Sequence, residues 1–129
     1  MGNVEGDLIE FKMLYGLNLI MSDWGFKVTP AYNDIREIDA IIEGENFLAA
    51  MEICKKCDTH DVEQAIIGAK KLEELEGRKV DAIIVFSYTG EISEMVLKLA
   101  REKGVIVESR PRSLARKLKE IQKKKIESS

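Results

Sequence analysis

Apolar residues recur at helical spacing near the start of the chain and then give way to a strand pattern. Over residues 7–24 they fall on one side of a helix, and Gly25 follows at a position where helices commonly end. Residues 26–32 predict a strand that contains Pro30. Because proline cannot donate a hydrogen bond to a neighbouring strand, we expect this strand at the edge of a sheet.

The next segment alternates apolar and polar residues in the manner of a β-hairpin. The alternation over residues 36–43 assigns three apolar residues to one face of a strand: Ile38, Ala40 and Ile42. Residues 44–46 supply a turn, and the apolar run over residues 47–54 predicts the partner strand.

A helix and a buried strand follow the hairpin. Residues 60–76 carry a helical stripe that begins at Thr59 or Asp61 and ends at Gly77. Residues 80–86 are almost continuously apolar, which is typical of a strand buried on both faces. We therefore expect this strand at the centre of the sheet.

The end of the chain predicts a helix closed by Gly104, a short strand and, after Pro111, an amphipathic helix. A strand, a helix and a strand in that order imply a right-handed parallel crossover. The predicted fold is therefore α/β, with element order αβββαβαβα and helices packed on a mixed sheet. Residues 1–109 form the predicted α/β domain, and residues 110–129 form a basic C-terminal helix or tail.

Charge is distributed unevenly along the chain. Residues 110–129 hold eight Lys or Arg residues and two Glu residues, a net charge of +6, whereas the whole chain carries −3 and residues 1–109 therefore carry −9. Such a segment suits nucleic-acid phosphates, and the absence of aromatic residues favours backbone contacts over base stacking. A solvated helix face or a homodimer helix is the alternative. The candidate nucleic-acid contacts are Lys55, Arg110, Arg112, Arg116 and Lys117.

The sequence shows neither a membrane-spanning run nor a signal-peptide pattern, so we expect a cytoplasmic protein without a membrane partner. In that compartment Cys54 and Cys57 are expected to be reduced. Abundant Lys and Glu beside only two Gln residues favour a thermophilic source.

Glu52 lies in the middle of the apolar second strand of the hairpin. A carboxylate there must reach solvent, a cation or a metal ion, because burying it unpaired is costly. If Glu43 pairs with Leu48, Asp39 lies directly opposite Glu52 on the same face, whereas a two-residue Gly44-Glu45 turn makes them diagonal neighbours on that face. A three-residue loop without a bulge would separate them. Two carboxylates with nearby backbone carbonyls offer the oxygen ligands that Mg²⁺ prefers. Solvated acids on a half-exposed strand are the alternative.

These residues carry a family resemblance. The segment from Glu37-Ile38-Asp39 to Glu52-Ile53-Cys54 resembles motifs II and III of the PD-(D/E)xK nuclease superfamily, whose hairpin reads Asp, a spacer and then Glu-x-Lys. The stretch Asp61-Val62-Glu63-Gln64 is similar to the following helix of the archaeal and RecB-like branch. The predicted order of elements over about residues 7–87 matches the restriction endonuclease-like core of that superfamily.

The resemblance implies a metal-dependent phosphodiester hydrolase that acts on DNA. It implies Asp39 and Glu52 as ligands of Mg²⁺ or Mn²⁺, with the carbonyl of Ile53 as a further ligand. It also implies that Glu10 on the first helix assists and that Gln64 lies near the active site.

The chain departs from the family at the lysine of Glu-x-Lys, where Cys54 stands. Lys55 is expected on the opposite face of the strand, so Lys56 is the nearest substitute. If Lys56 does not take this role, the implied protein is a catalytically inactive nucleic-acid-binding or assembly module.

The Cys-x-x-Cys spacing of Cys54 and Cys57 admits a third hypothesis, a zinc or thiol-redox protein. The predicted zinc ligands are Cys54, Cys57 and His60. A closed structural zinc site needs four ligands, so Asp58, Asp61 or a second subunit would have to complete it.

Overall fold

The computed structural model describes the backbone of residues 4–128 and the side chains of residues 10–128. Its elements follow the predicted order: α1 (Val4–Ser22), β1 (Lys27–Pro30), β2 (Ala40–Gly44), β3 (Phe47–Cys57), α2 (Thr59–Glu76), β4 (Ala82–Ile92), α3 (Glu94–Lys103), β5 (Ile106–Glu108) and α4 (Pro111–Glu127). Within this described part, no helix combines the length and the apolar character that crossing a bilayer requires.

The five strands form one mixed sheet in chain order, β1-β2-β3-β4-β5. β1, β2 and β3 are antiparallel, whereas β3, β4 and β5 are parallel, as the strand–helix–strand order predicted. β1, which contains Pro30, is confirmed as an edge strand. The prediction that the apolar run over residues 80–86 is the central strand was wrong, because β5 pairs outside β4 and leaves β3 in the middle. Every interior strand of such a sheet has both faces covered, so apolar composition does not distinguish β3 from β4.

Both faces of the sheet are covered by helices. On one face, Ala49 and Met51 of β3 pack in a cluster with residues of α1 and with Leu114 and Leu118 of α4. The opposite face of the sheet packs against α2 and α3. The basic C-terminal segment is therefore a helix whose apolar side belongs to the core.

β2 begins at Ala40, four residues later than predicted, and residues 36–39 are irregular. The prediction that Ile38 shares a face with Ala40 was therefore wrong: Ile38 packs with Ile41 in the cluster under α2, whereas Ala40 faces α1 and α4. Strand alternation does not extend into an irregular segment. A β-carbon added at Gly68 of α2 would collide with the Ile38 side chain, so glycine allows this close approach.

α2 is capped at both ends. Its N-cap is Asp58, whose Oδ1 accepts a 3.1 Å hydrogen bond from the Asp61 N–H, while Asp61 Oδ2 accepts one of 2.8 Å from the Asp58 N–H. This reciprocal capping box fixes the start of α2 at Thr59, one of the two starts that the sequence predicted. Gly77 ends the helix in the left-handed conformation, as predicted.

Candidate metal site at the hairpin

The register of the β2–β3 hairpin is the one that brings the two predicted carboxylates together. Glu43 pairs with Leu48, and Gly44 pairs with Phe47 across a two-residue turn. Asn46 occupies this turn with a φ of 52°, a conformation that asparagine tolerates better than most residues. Of the hairpin registers that the sequence left open, the structure has the one that pairs Glu43 with Leu48.

Asp39 extends this pairing one residue beyond β2. Its N–H donates a 2.9 Å hydrogen bond to the Met51 carbonyl, and its Oδ2 accepts one of 2.7 Å from the Ile53 N–H. Met51 and Ile53 flank Glu52, so Asp39 lies opposite Glu52 as the register requires. The carboxylate of Asp39 is thus hydrogen-bonded to the backbone of β3, which holds it in one orientation.

Glu52 is half-buried, and its side chain is hydrogen-bonded to that of Asp39. Burial raises the pKa of Glu52 to about 10, and the hydrogen bond to Asp39 and the charges of Asp39 and Asp61 add to this rise. This shift favours the protonated form of Glu52 at neutral pH. A pair of carboxyl groups that retains a proton at neutral pH is a site with strong affinity for positive charge.

An open cleft adjoins Asp39. It has a volume of about 770 Å³, and Glu10 of α1 and Asp39 both line it. Tyr32 and Arg36 also line it. The structure thus brings the acid predicted on the first helix to the same cleft as one member of the carboxyl pair.

The N-terminal half of α2 borders the carboxyl pair. Asp61 acts electrostatically on Glu52, and Gly68 packs against Ile38 next to Asp39. Gln64 lies three residues after Asp61 and four residues before Gly68, so it belongs to the same side of α2, which faces the hairpin. Its side chain is half-buried, and among residues 10–128 no hydrogen bond joins it to the carboxyl pair.

Asp61 is the member of this acidic group that the resemblance did not include among the ligands. Burial is the largest cause that raises the pKa of its carboxyl group. A detectable signal was present in the sequence, since an Asp-x-x-Asp pattern directly after a strand is typical of a capped helix start. As a capping residue, Asp61 lies at the junction of β3 and α2, where its charge acts on Glu52.

Cys54 and Cys57 form a disulfide, with Cα atoms 5.3 Å apart. The expectation that both cysteines are reduced was therefore wrong for this structure, because a Cys-x-x-Cys spacing at a strand end brings the two side chains within bonding reach. Both cysteines are buried in the cluster that contains Val62 of α2. In a regular strand, the side chains of residues three apart point to opposite faces. The disulfide therefore requires that the alternation of β3 is interrupted between Cys54 and Cys57.

This interruption coincides with an irregular pairing of β3 and β4. From Cys54 to Lys56, β3 advances two residues while its β4 partners advance four, from Ser87 to Glu91. Where the backbone pairing of the two strands is interrupted, the hydroxyl groups of Ser87 and Thr89 both donate hydrogen bonds to the Lys55 carbonyl. Residues 88–90 belong to this bulged part of β4.

Lys55 and Lys56 are both exposed. Within residues 10–128, no ion pair joins Lys56 to Glu52. Lys56, the substitute that the sequence suggested for the family's lysine, is therefore exposed to solvent.

Of the three predicted zinc ligands, the structure brings the two cysteines together but not His60, and Asp61 lies beside them instead. His60 is exposed on the first turn of α2, whereas a carboxylate oxygen of Asp61 lies within 4.8 Å of both sulfur atoms. Successive residues of a helix point about 100° apart, so His60 and Asp61 do not face the same way.

The predicted nucleic-acid contacts of the C-terminal segment lie apart from the carboxyl pair, whereas Lys55 follows Glu52 on β3. Arg110, Arg112 and Arg116 are exposed at the start of α4, on the sheet face opposite that of Glu52. Lys117 forms a 2.6 Å ion pair with Glu108, so part of its charge is neutralised within the protein.

Two solved structures are similar to this chain in fold. The crystal structure of a repair endonuclease from Pyrococcus abyssi is 22% identical and aligns with 83% of this chain and 46% of its own, with a TM-score of 0.60. The structure of an EndoMS–dsDNA2 complex is 18% identical and aligns with 80% of this chain and 44% of its own, with a TM-score of 0.61. The chain has the restriction endonuclease-like fold.

The chain spans less than half the length of either structure. No protein-family model and no curated protein sequence matches it. At these identities the likeness shows the fold alone. It does not show an activity, for which only the residues of the site provide evidence.

Proposed function

We propose that the chain is a divalent-cation-dependent phosphodiester hydrolase of the nuclease type that acts on DNA, with Asp39 and Glu52 binding Mg²⁺ or Mn²⁺. The observation that carries this proposal is that Asp39 and Glu52 lie opposite each other across the hairpin, where burial and the neighbouring Asp39 raise the pKa of Glu52 to about 10. The fold supports it, since the two similar structures are a repair endonuclease and a protein in complex with double-stranded DNA.

The residues present fit a hard divalent cation. Both side chains offer carboxylate oxygen atoms, and the proton that Glu52 retains marks a position where positive charge is favoured. The Ile53 N–H occupies Oδ2 of Asp39, which leaves Oδ1 for a cation. The Ile53 carbonyl and Glu10, which lines the same cleft as Asp39, are the further proposed oxygen ligands.

A cation bound there would polarise the phosphodiester and lower the pKa of a coordinated water. The chain's own contribution is positional: the Ile53 N–H holds Asp39, and Glu52 gives up its proton to solvent as the cation binds. Lys56 is the proposed source of the ammonium group that orients the attacking water, and Gln64 is proposed to assist from α2.

DNA binding is proposed to draw on the exposed arginines of α4 and on Lys55. Each phosphate that these side chains neutralise releases counterions, so binding weakens as salt rises. The paired variant Arg112→Gln/Arg116→Gln is expected to reduce the slope of log affinity against log salt by about 2. The matched control is Lys98→Gln/Arg101→Gln on α3, which removes two exposed charges elsewhere and should leave that slope unchanged.

One observation favours a second function, a catalytically inactive DNA-binding or assembly module. The family's lysine position holds Cys54, which is buried and disulfide-bonded, and Lys56 makes no ion pair with Glu52 among the described side chains. A site without its ammonium group would still bind a cation and DNA.

Incubation with plasmid, single-stranded and branched DNA in Mg²⁺ or Mn²⁺ separates the two functions. The expected result is cleavage that Asp39→Asn and Lys56→Ala abolish and that Glu45→Gln, an exposed acid in the hairpin turn, leaves unchanged. Cleavage that survives Asp39→Asn would reject the proposed site. Salt-dependent binding without cleavage would establish the inactive module instead.

A further inference from the structure

A second group of ligand atoms lies at the junction of β3 and α2. The sulfur atoms of Cys54 and Cys57 and a carboxylate oxygen of Asp61 all lie within 4.8 Å of one another. Both cysteines are buried, and Asp61 is half-buried. The group is separate from the Asp39–Glu52 pair in chemistry, because two of its three ligand atoms are sulfur.

We propose that, once the disulfide is reduced, Cys54, Cys57 and Asp61 bind a single Zn²⁺ ion, and that the disulfide closes this site. Thiolates are soft ligands that select zinc over magnesium, and one carboxylate oxygen is a common third ligand. Three protein ligands leave a fourth position for water, so the site is open. Neither Asp39 nor Glu52 serves as a ligand, and the zinc site stands whether or not the chain cleaves DNA.

The backbone around these three residues is already held in position. Asp61 is fixed by the capping box with Asp58, and the strand end is fixed by the two hydroxyl bonds to the Lys55 carbonyl. Thiolates bound at about 2.3 Å to one tetrahedral zinc lie roughly 3.8 Å apart. With Cα atoms 5.3 Å apart, the cysteines reach that separation by rotation of their side chains alone.

The change between the two states balances in atoms and electrons. A reducing dithiol donates two electrons and two protons: the Cys54–Cys57 bond is replaced by two thiols, and the dithiol becomes a cyclic disulfide. Zn²⁺ then displaces both thiol protons to solvent as the two Zn–S bonds form. Reoxidation by a disulfide reverses both steps and releases the ion.

Cobalt is a suitable probe, because Co²⁺ occupies zinc sites and its bonds to thiolates give a charge-transfer absorption. The protein is reduced with a water-soluble phosphine, which becomes its oxide as water supplies the oxygen and the two thiol protons. The expected result is one equivalent of Co²⁺ with the charge-transfer band, and displacement by Zn²⁺. The oxidised protein should give no band. A reduced protein without the band, or an oxidised protein with it, would overturn the proposal.

Variants assign the ligands. Cys57→Ser is expected to abolish the band, and Asp61→Asn to weaken binding by at least about tenfold. Asparagine at position 61 keeps an oxygen that accepts from the Asp58 N–H, so the helix cap is retained, and circular dichroism checks the fold. The control His60→Ala should bind Co²⁺ as the parent does. Full binding by Asp61→Asn together with loss in His60→Ala would reject Asp61 as the ligand.

Discussion

Two pairs of side chains lie near each other along β3 and differ in how they were brought together. The carboxyl pair, Asp39 and Glu52, depends on the regular register of the β2–β3 hairpin. The cysteine pair, Cys54 and Cys57, depends on an interruption of regular strand structure and on the bulge of β4 beside it. Regular pairing thus creates an oxygen site, and a local departure from it creates a sulfur site within a few residues.

The comparison also concerns charge. The carboxyl pair retains a proton because burial and neighbouring acids raise the pKa of Glu52. The cysteine pair is neutral and buried as a disulfide. Asp61 links the two regions, since it acts electrostatically on Glu52 and lies beside both sulfur atoms.

The largest expected effect tests whether the two pairs are functionally separate. Asp39→Asn is expected to reduce metal-dependent DNA cleavage at least about 100-fold, close to 2.7 kcal/mol in activation free energy, because it removes a charged ligand. Cys54→Ser should change the rate only a few-fold. Both rates are measured on one DNA substrate in Mg²⁺. Equal losses in the two variants would mean that the pairs form a single site.

The second-largest expected effect is a decrease in the free energy of unfolding when the disulfide is reduced. The chain-entropy estimate for so short a loop is about 2 kcal/mol, which urea denaturation with and without a phosphine reductant would measure. The reductant should have no effect on the stability of the Cys54→Ser/Cys57→Ser variant. If reduction leaves the parent unchanged, the disulfide does not stabilise the fold.

The pH dependence of stability tests the carboxyl pair. The pKa of Glu52 is about 10 in the folded protein and 4.5 when unperturbed, so the folded state binds the proton more tightly. Its contribution is fully present below about pH 4.5 and is lost as the pH rises towards 10. Without a divalent cation, Glu52→Gln should raise the free energy of unfolding at pH 8 on the order of 1–2 kcal/mol, after allowance for solvent screening.

Urea denaturation at pH 4 and pH 8 provides the measurement for Glu52→Gln. At pH 4 the variant and the parent should be about equally stable, and Glu45→Gln should match the parent at both values. Mg²⁺ is expected to reduce the advantage of the variant at pH 8, because it stabilises the parent with Glu52 ionised. A variant no more stable than the parent at pH 8 without Mg²⁺ would contradict the raised pKa.

The smallest effect concerns the bulge beside the cysteine pair. Thr89→Val removes one of two hydroxyl groups that bond to the Lys55 carbonyl, at an expected cost of about 1 kcal/mol in unfolding free energy. The variant should weaken Co²⁺ binding by the reduced protein more than it changes DNA cleavage. The opposite order would show that the bulge supports the carboxyl pair instead.

The sequence predicted the order of the elements, because that order follows from local periodicity. It left the register of the hairpin open, and the structure decided that Asp39 lies opposite Glu52. It placed the edge strand correctly through Pro30. It misplaced Ile38, which lies in an irregular segment, and it made β4 the centre of the sheet, because pairing by β5 is a long-range property. The roles of Glu10, Gln64 and Lys56 stay predictions.

The sequence by itself determined that a carboxylate had to be accommodated at Glu52, because an apolar strand cannot hold one without a partner. Only the tertiary structure decided its surroundings. α2 approaches the hairpin at Gly68 and brings Asp61 towards Glu52, and the bulge of β4 accompanies the break that lets Cys54 and Cys57 meet. Periodicity encodes the face of a strand on which a side chain lies. The distance between elements depends on packing across the whole sheet, which no local pattern records.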